Sequence, residues 1–176
     1  MNSQEAYFLR QSNYIESEFS EEAFEDSVKA WDFIMEHVIL DTNKILDIHR
    51  ILLKRINPRI AGKLRDCDVW IGGEKKKFIS KSILGERLDE VCEKINATII
   101  SSISGGVKEL NDKAKDLHIE FEDIHPFEDG NGRTGRIIMN WHRKKIGLPI
   151  LAIKADMEAG GGEQLDYYKW FQKKSK

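Results

Sequence analysis

Apolar residues recur at helical spacing along most of the chain and mark a series of amphipathic helices. Phe24, Val28, Trp31, Ile34 and Val38 form one stripe. Ile45, Ile48, His49, Leu52 and Ile56 form a second, with Asp41 and Thr42 placed to cap it and Asn57-Pro58 placed to end it. His49 falls on that apolar face, where a hydrogen-bonded core histidine is expected. A third helix is expected over 82–102, with Leu84, Leu88, Val91, Ile95 and Ile99 inward, before a loop over 101–106. Val107, Leu110, Ala114, Leu117, Phe121 and Ile124 mark a fourth, which delivers His125 to its C-terminal end. Pro126 stops it, because proline lacks an amide hydrogen and turns the preceding residue away from helical geometry. Ile137, Ile138 and Trp141 mark a further helix, ended by Gly147 with Pro149 beyond.

Between the second and third helices the period changes. Val69 and Ile71 alternate, Gly72-Gly73 follows, and 74–79 completes the pattern of a small β-hairpin. Lys75, Lys76 and Lys77 suit a solvated edge that discourages aggregation. Ala159-Gly160-Gly161-Gly162 breaks the chain before a terminal amphipathic stretch, Leu165 to Phe171, whose Tyr167, Tyr168, Trp170 and Phe171 suit core packing. The expected fold is mostly α, a compact helical bundle with a small β-hairpin. Its 176 residues are enough for one sizeable core, so a single domain over 1–176 is expected.

Composition narrows the partners. The net charge is −2 with acids and bases interspersed, which implies no basic surface for nucleic acid. Cys67 and Cys92 have no metal or redox spacing and read as free thiols in a reducing compartment. No apolar run approaches the ~20 residues of a membrane span. Met1 to Tyr7 lacks the pattern of a secretion signal, so a cytoplasmic chain without membrane contact is expected.

The chemistry concentrates in His125-Pro-Phe-Glu-Asp-Gly-Asn-Gly-Arg-Thr-Gly-Arg136. Gly130 and Gly132 permit positive φ and close backbone approach, so amide hydrogens around Asn131 to Arg133 can converge on an anion at a helix start. Arg133 and Arg136 share the first turn of that helix, where cations oppose the macrodipole by about 0.3 to 1 kcal/mol each; an anionic ligand reverses the sign. Asp129 is a hard oxygen ligand where Mg²⁺ bridging phosphates would sit. His125, with a reference pKa of about 6.5, is mostly unprotonated near neutral pH and able to accept a proton. An EF-hand reading fails for want of alternating Asp/Asn ligands and a closing Glu. Zinc has no support from His118, His125 and His142, which lack ligand spacing.

This segment resembles the signature of the Fic family, His-x-Phe-x-Asp/Glu-Gly-Asn-Gly-Arg-x-x-Arg, at every fixed position over 125–136. The resemblance implies AMPylation, the transfer of AMP from ATP to a Tyr, Ser or Thr hydroxyl of a target protein. By position, His125 is the implied base and Asp129 the Mg²⁺ ligand, while Phe127 anchors the loop. Asn131 and the amides of Gly130 and Gly132 bind the α- and β-phosphates, Arg133 supports them, and Arg136 meets the γ-phosphate. Ser12-Asn13-Tyr14-Ile15-Glu16-Ser17 resembles the family's inhibitory helix, Ser/Thr-x-x-x-Glu-Gly/Asn, here over 10–19. That implies pairing of Glu16 with Arg136; Ser17 departs from the family's Gly or Asn. Gly62 to Ile71 resembles the family's flap, here 62–80, in which Val69, Trp70 and Ile71 would align a target by strand addition. Removal of AMP, with Glu16 orienting a water, and a non-catalytic binding module remain the alternatives. Self-modification and homo-oligomerisation are left open.

Overall fold

The computed structural model describes residues 1–71, 77–102, 105–156 and 162–172. The protein is mostly helical. α1 (Ser3–Ile15) opens with a capping box: Glu5 N–H donates to Asn2 Oδ1 at 3.0 Å, and Asn2 N–H donates to Glu5 Oε2 at 2.8 Å. It closes with paired bonds from Ser17 N–H to Tyr14 O and from Glu18 N–H to Asn13 O, a Schellman turn. Ser20 caps α2 (Glu21–Met35), and Asp41 Oδ1 caps α3 (Thr42–Leu53) by accepting from Lys44 N–H at 2.9 Å.

After α3 come two three-residue strands, β1 (Val69–Ile71) and β2 (Lys77–Ile79), paired antiparallel with Val69 opposite Ile79. The expected Gly72-Gly73 turn and the charge run's Lys75 and Lys76 lie outside the described residues, as do Ala159 to Gly161 of the expected break. α4 (Leu84–Ser101), α5 (Val107–Ile124), α6 (Asn131–Lys145) and α7 (Glu163–Tyr168) complete the chain.

α6 is the central helix, with every residue from Arg133 to Arg143 buried. α1, α2, α3, α4 and α5 all pack against it. The main core joins Phe8 and Leu9 of α1, Trp31 and Ile34 of α2, Ile45, Ile48 and Leu52 of α3, Leu88 of α4, Phe121 of α5 and Trp141 of α6. Phe8 meets Trp31 edge to face, with ring centroids 5.5 Å apart. Polar ties add to this anchoring of α1: Lys144 Nζ donates to Glu5 Oε1 at 2.6 Å, and Ala155 N–H to Gln11 Oε1 at 2.8 Å.

Two apolar stripes end sooner than their spacing suggests. α2 stops at Met35, and Val38, 69% exposed, lies past its end. α3 stops at Leu53, and Ile56, 40% exposed, lies past its end. Val107 opens α5 but is exposed, while Leu110 in the same turn is buried. Leu165 and Tyr168 are exposed too, so in the terminal stretch Tyr167 alone is fully buried among the described residues. The segment expected as a helix over 10–19 is offset: Ser12 lies in the last turn of α1 and Glu16 is its C-cap.

Candidate active site

His125 ends α5 in the left-handed region, with φ 49° and ψ 62°. That reversal swings the chain into the loop leading to α6. Arg65, 3% exposed, holds the corner: its Nε donates to His125 O at 2.8 Å, its side chain also reaches Ile124 O and Cys67 O, and its own N–H donates to Pro126 O at 3.0 Å. Carbonyls at a helix end have no intrahelical donors, and this arginine supplies them.

The middle of the loop is pinned from below. Phe127 is fully buried and stacks on His49 with centroids 3.7 Å apart and planes 2° from parallel. Gly62 N–H donates to His49 Nδ1 at 2.9 Å, so that nitrogen is unprotonated and Nε2 carries the hydrogen donated to Asp129 O at 3.0 Å. Burial pushes His49 down to about 4, which keeps this neutral tautomer at physiological pH. The expected core histidine is therefore a brace between α3 and the loop.

Asn131 closes the loop on itself. Its Oδ1 accepts from Phe127 N–H and its Nδ2 donates to Phe127 O, both at 2.9 Å, so its side chain is committed to loop shape. Gly130 precedes it at φ 77°, and a Cβ there would lie 2.6 Å from Leu53 Cδ2. The first bond of α6 runs from Thr134 N–H to Gly130 O at 3.1 Å. The amides of Asn131, Gly132 and Arg133 precede that bond and have no carbonyl partner within the helix.

Around these amides stand charges of both signs. Asp129 is exposed; its Oδ1 accepts from Gly130 N–H at 2.6 Å and its Oδ2 lies 3.7 Å from Arg133 Nη2. Arg133 is 5% exposed, and its Nε is buried without a partner among the described residues. Arg136, 2% exposed, donates from Nε to Ser12 Oγ at 2.9 Å and from Nη2 to Ser12 O at 2.9 Å and Glu16 Oε1 at 2.7 Å. Burial alone would weaken its charge, but Tyr167 and Glu16 more than reverse this, so Arg136 remains a cation. Tyr167 lies against it, with the Arg136 guanidinium 5.8 Å from its ring centroid and its hydroxyl 2.9 Å from His118 Nε2.

His125 is half-buried, and burial lowers its pKa against the raising effect of the Glu122 carbonyl. Its imidazole is neutral near pH 7, and Glu16 and Asp129 are both close enough to influence it. The arrangement thus combines a neutral imidazole, helix-start amides, two arginines and an exposed carboxylate. Such a set can bind a polyphosphate and accept a proton beside it. The spacing within 125–136 anticipates these groups. Arg65 and Tyr167 carry no comparable signal, because their partners are brought together by the fold. Among the described residues no group of three or more His, Cys, Asp or Glu is arranged to hold a metal, which leaves Asp129 as a single carboxylate beside the cradle. No described helix is long and apolar enough to cross a membrane.

The chain is similar to known proteins in sequence and in fold. The chain is 27% identical over 124 residues to the protein adenylyltransferase fic-1 of Caenorhabditis elegans, covering 70% of this chain and 23% of that protein. It thus spans about a quarter of the length of that curated relative. A solved fragment of C. elegans Fic-1 superposes with a TM-score of 0.70 at 20% identity, covering 88% of this chain and 52% of that one. A Fic-domain signaling protein from Bacteroides thetaiotaomicron superposes with a TM-score of 0.73 at 18% identity, covering 96% and 69%. The Fic/DOC family pattern matches residues 39–142, more than half of the chain, and the protein belongs to that family.

Proposed function

We propose that the chain is a protein adenylyltransferase that moves AMP from ATP to a Tyr, Ser or Thr hydroxyl of a target protein and is held inhibited by Glu16. The observation that carries this reading is the neutral His125 at the head of the loop into α6, whose first amides have no carbonyl partner within the helix, with an internal carboxylate docked on Arg136. The name of the C. elegans relative, protein adenylyltransferase, supports it.

The target hydroxyl loses its proton to His125 and attacks the α-phosphorus in line. The new oxygen–phosphorus bond forms as the bond to the bridging oxygen breaks, and pyrophosphate leaves. A positioned base of this kind contributes about 10² to 10⁴ in rate. The amides of residues 131–133 and Arg133 receive the α- and β-phosphates, and Arg136 receives the γ-phosphate. Asn131 acts through its main chain, because its side chain is committed to Phe127. Mg²⁺ fits Asp129, since that ion keeps several waters and takes phosphate oxygens with only one or two carboxylates. When bound it would neutralise charge building on the phosphates.

Glu16 occupies the guanidinium face that the γ-phosphate needs. An exposed pair would be worth only about 0 to 1 kcal/mol, but Arg136 is buried and also bonded by Ser12, a charge-assisted arrangement of the stronger kind. In this reading the whole of 1–176 is one Fic domain, 10–19 holds the inhibitory segment, 62–80 is the flap and 125–136 the catalytic loop. The β1 backbone at Val69, Trp70 and Ile71 offers an edge for the target segment.

The test is incubation with Mg²⁺ and ATP labelled at the α-phosphate, using the parent, Glu16→Gly, and Glu16→Gly/His125→Ala proteins. Label that is strong in Glu16→Gly, weak in the parent and lost with His125 is the expected result. Label on the chain itself identifies self-modification. Nucleotide binding without any label in Glu16→Gly would overturn the reading, and loss of AMP from a pre-modified target would replace it with the reverse reaction.

A further inference from the structure

On the partly buried Glu122, one carboxyl oxygen sealed under the site takes no part in the chemistry above. Glu122 Oε1 is shielded from solvent and has no hydrogen-bond partner among the described residues. It rests against the bare backbone of Gly135, the residue before Arg136: a Cβ there would lie 2.3 Å from Glu122 Oε1, 2.9 Å from Phe121 Cδ1 and 3.1 Å from His118 Cε1. An unpaired buried oxygen is costly and is not explained by packing alone.

The charged and titratable groups within its electrostatic reach lie on several neighbouring elements. They are Glu16 at the end of α1, Asp123, His118 and His125 with it on α5, Arg136 on α6 and Tyr167 on α7. Burial is the largest influence and pushes Glu122 up to about 8; Arg136 opposes this, while Glu16 and Asp123 reinforce it. With Glu16 docked, Arg136 already has its counter-charge, and a second ionised carboxylate would be in excess.

The balance changes if Glu16 leaves, as the nucleotide reading requires. A buried guanidinium without a counter-charge is strongly unfavourable, and Glu122 is a partly buried carboxyl that remains within its influence. We propose that Glu122 is a positioning residue for Arg136: it stays protonated while Glu16 is docked and releases that proton to solvent, becoming the guanidinium's counter-charge, when Glu16 withdraws. An incoming triphosphate restores the negative charge that Glu16 supplied, and Glu122 takes a proton back from solvent. The charge around Arg136 stays constant through the exchange, and the arginine keeps its place.

This inference rests on the proposed nucleotide site, but its first test needs no nucleotide. Carboxyl-carbon NMR on protein labelled at glutamate, with Glu122→Gln to assign the signal, follows the protonation of Glu122 against pH. In the parent the midpoint is expected near 8. In Glu16→Gly, and in Glu16→Gln should the glycine variant fail to fold, proton affinity is expected to fall about tenfold or more, one pKa unit being a factor of ten. Equal midpoints with and without Glu16, or an ordinary carboxylate midpoint in both, would overturn the assignment. Adding ATP to Glu16→Gly is expected to raise the midpoint again. A lowered midpoint in a Glu16→Gly protein that binds no ATP would support the role of Glu122 and overturn the nucleotide reading.

Discussion

Arg65 donates through Nε to the main-chain oxygen of His125 at 2.8 Å, which couples the approach to β1 to the residue proposed as the base. The same guanidinium sits at the negative end of the α5 dipole, where a cation is stabilising. The position of His125 therefore depends on a residue sixty positions earlier.

Arg65→Lys removes the fork while keeping the charge. Hydrogen bonds to charged groups are worth about 1.5 to 3 kcal/mol each, so unfolding free energy should fall by about 2 kcal/mol. In the Glu16→Gly background, AMP transfer should fall about tenfold through kcat with little change in KM for ATP, since 1.4 kcal/mol of lost positioning is a factor of ten. Denaturant titration and steady-state kinetics measure both. An altered KM with unchanged kcat would separate Arg65 from the base.

Ser17 follows Glu16 at φ 58°, in the left-handed region that glycine occupies without cost. A residue with a Cβ loses roughly 1 kcal/mol there. Ser17→Gly should raise stability by about 1 kcal/mol and, by firming the turn that carries Glu16, lower basal AMP transfer about fivefold. Ser17→Ala, which keeps the Cβ, should do neither. Equal behaviour of the two variants would disconnect backbone strain from inhibition.

Tyr167→Phe removes the hydroxyl that lies 2.9 Å from His118 Nε2 and leaves that buried nitrogen unpaired, at a cost of about 1 to 3 kcal/mol. It also removes a polar neighbour of Arg136. A lower melting temperature together with ATP affinity reduced a few-fold in Glu16→Gly is expected, read by calorimetry. Unchanged affinity would confine Tyr167 to packing.

Burial drives the three imidazoles of His49, His118 and His142 down to about 4, 3 and 4. Each is neutral in the fold but charges near pH 6.5 when the chain unfolds. Between pH 6.5 and about 4 the unfolded chain therefore binds more of these protons, and stability falls as pH falls. Glu122 has the opposite sign: its stabilisation is lost as pH rises from about 4.5 through about 8. The imidazoles outnumber it, so unfolding free energy should rise with pH from 4.5 to 6.5, each imidazole contributing up to about 1.4 kcal/mol per pH unit. A flat profile in denaturant titrations would contradict neutral burial.

Patterns within one element were legible in the sequence, and relationships between elements were not. Ile45, Ile48 and Leu52 read as a buried face because one helix repeats one environment. Val38 and Ile56 continued those stripes on paper, whereas both lie past the ends of their helices, which apolar spacing alone does not mark. His125, Asp129, Gly130 and Arg136 could be singled out as candidates because the loop is contiguous. Asn131 was assigned to phosphate on the same basis, but its side chain turns inward to Phe127. His49 was legible as a core residue, but its partners Gly62 and Asp129 lie thirteen and eighty positions away. Glu122 looked like one more acid on an amphipathic helix until α6 placed Gly135 against it.

Because Phe8 and Leu9 are seated in the main core, α1 is a fixed tether rather than a detachable segment. Burying two such side chains is worth about 1.5 to 3 kcal/mol each, and Ile15, buried one residue before Glu16, adds a third anchor. Under the proposed mechanism Glu16 is then a competing ligand on a very short leash, present at Arg136 at an effective concentration in the millimolar range or above. Dilution cannot weaken such a competitor. Nucleotide concentration, or a binding partner that holds the last turn of α1 open, becomes the variable that sets how often the site is free.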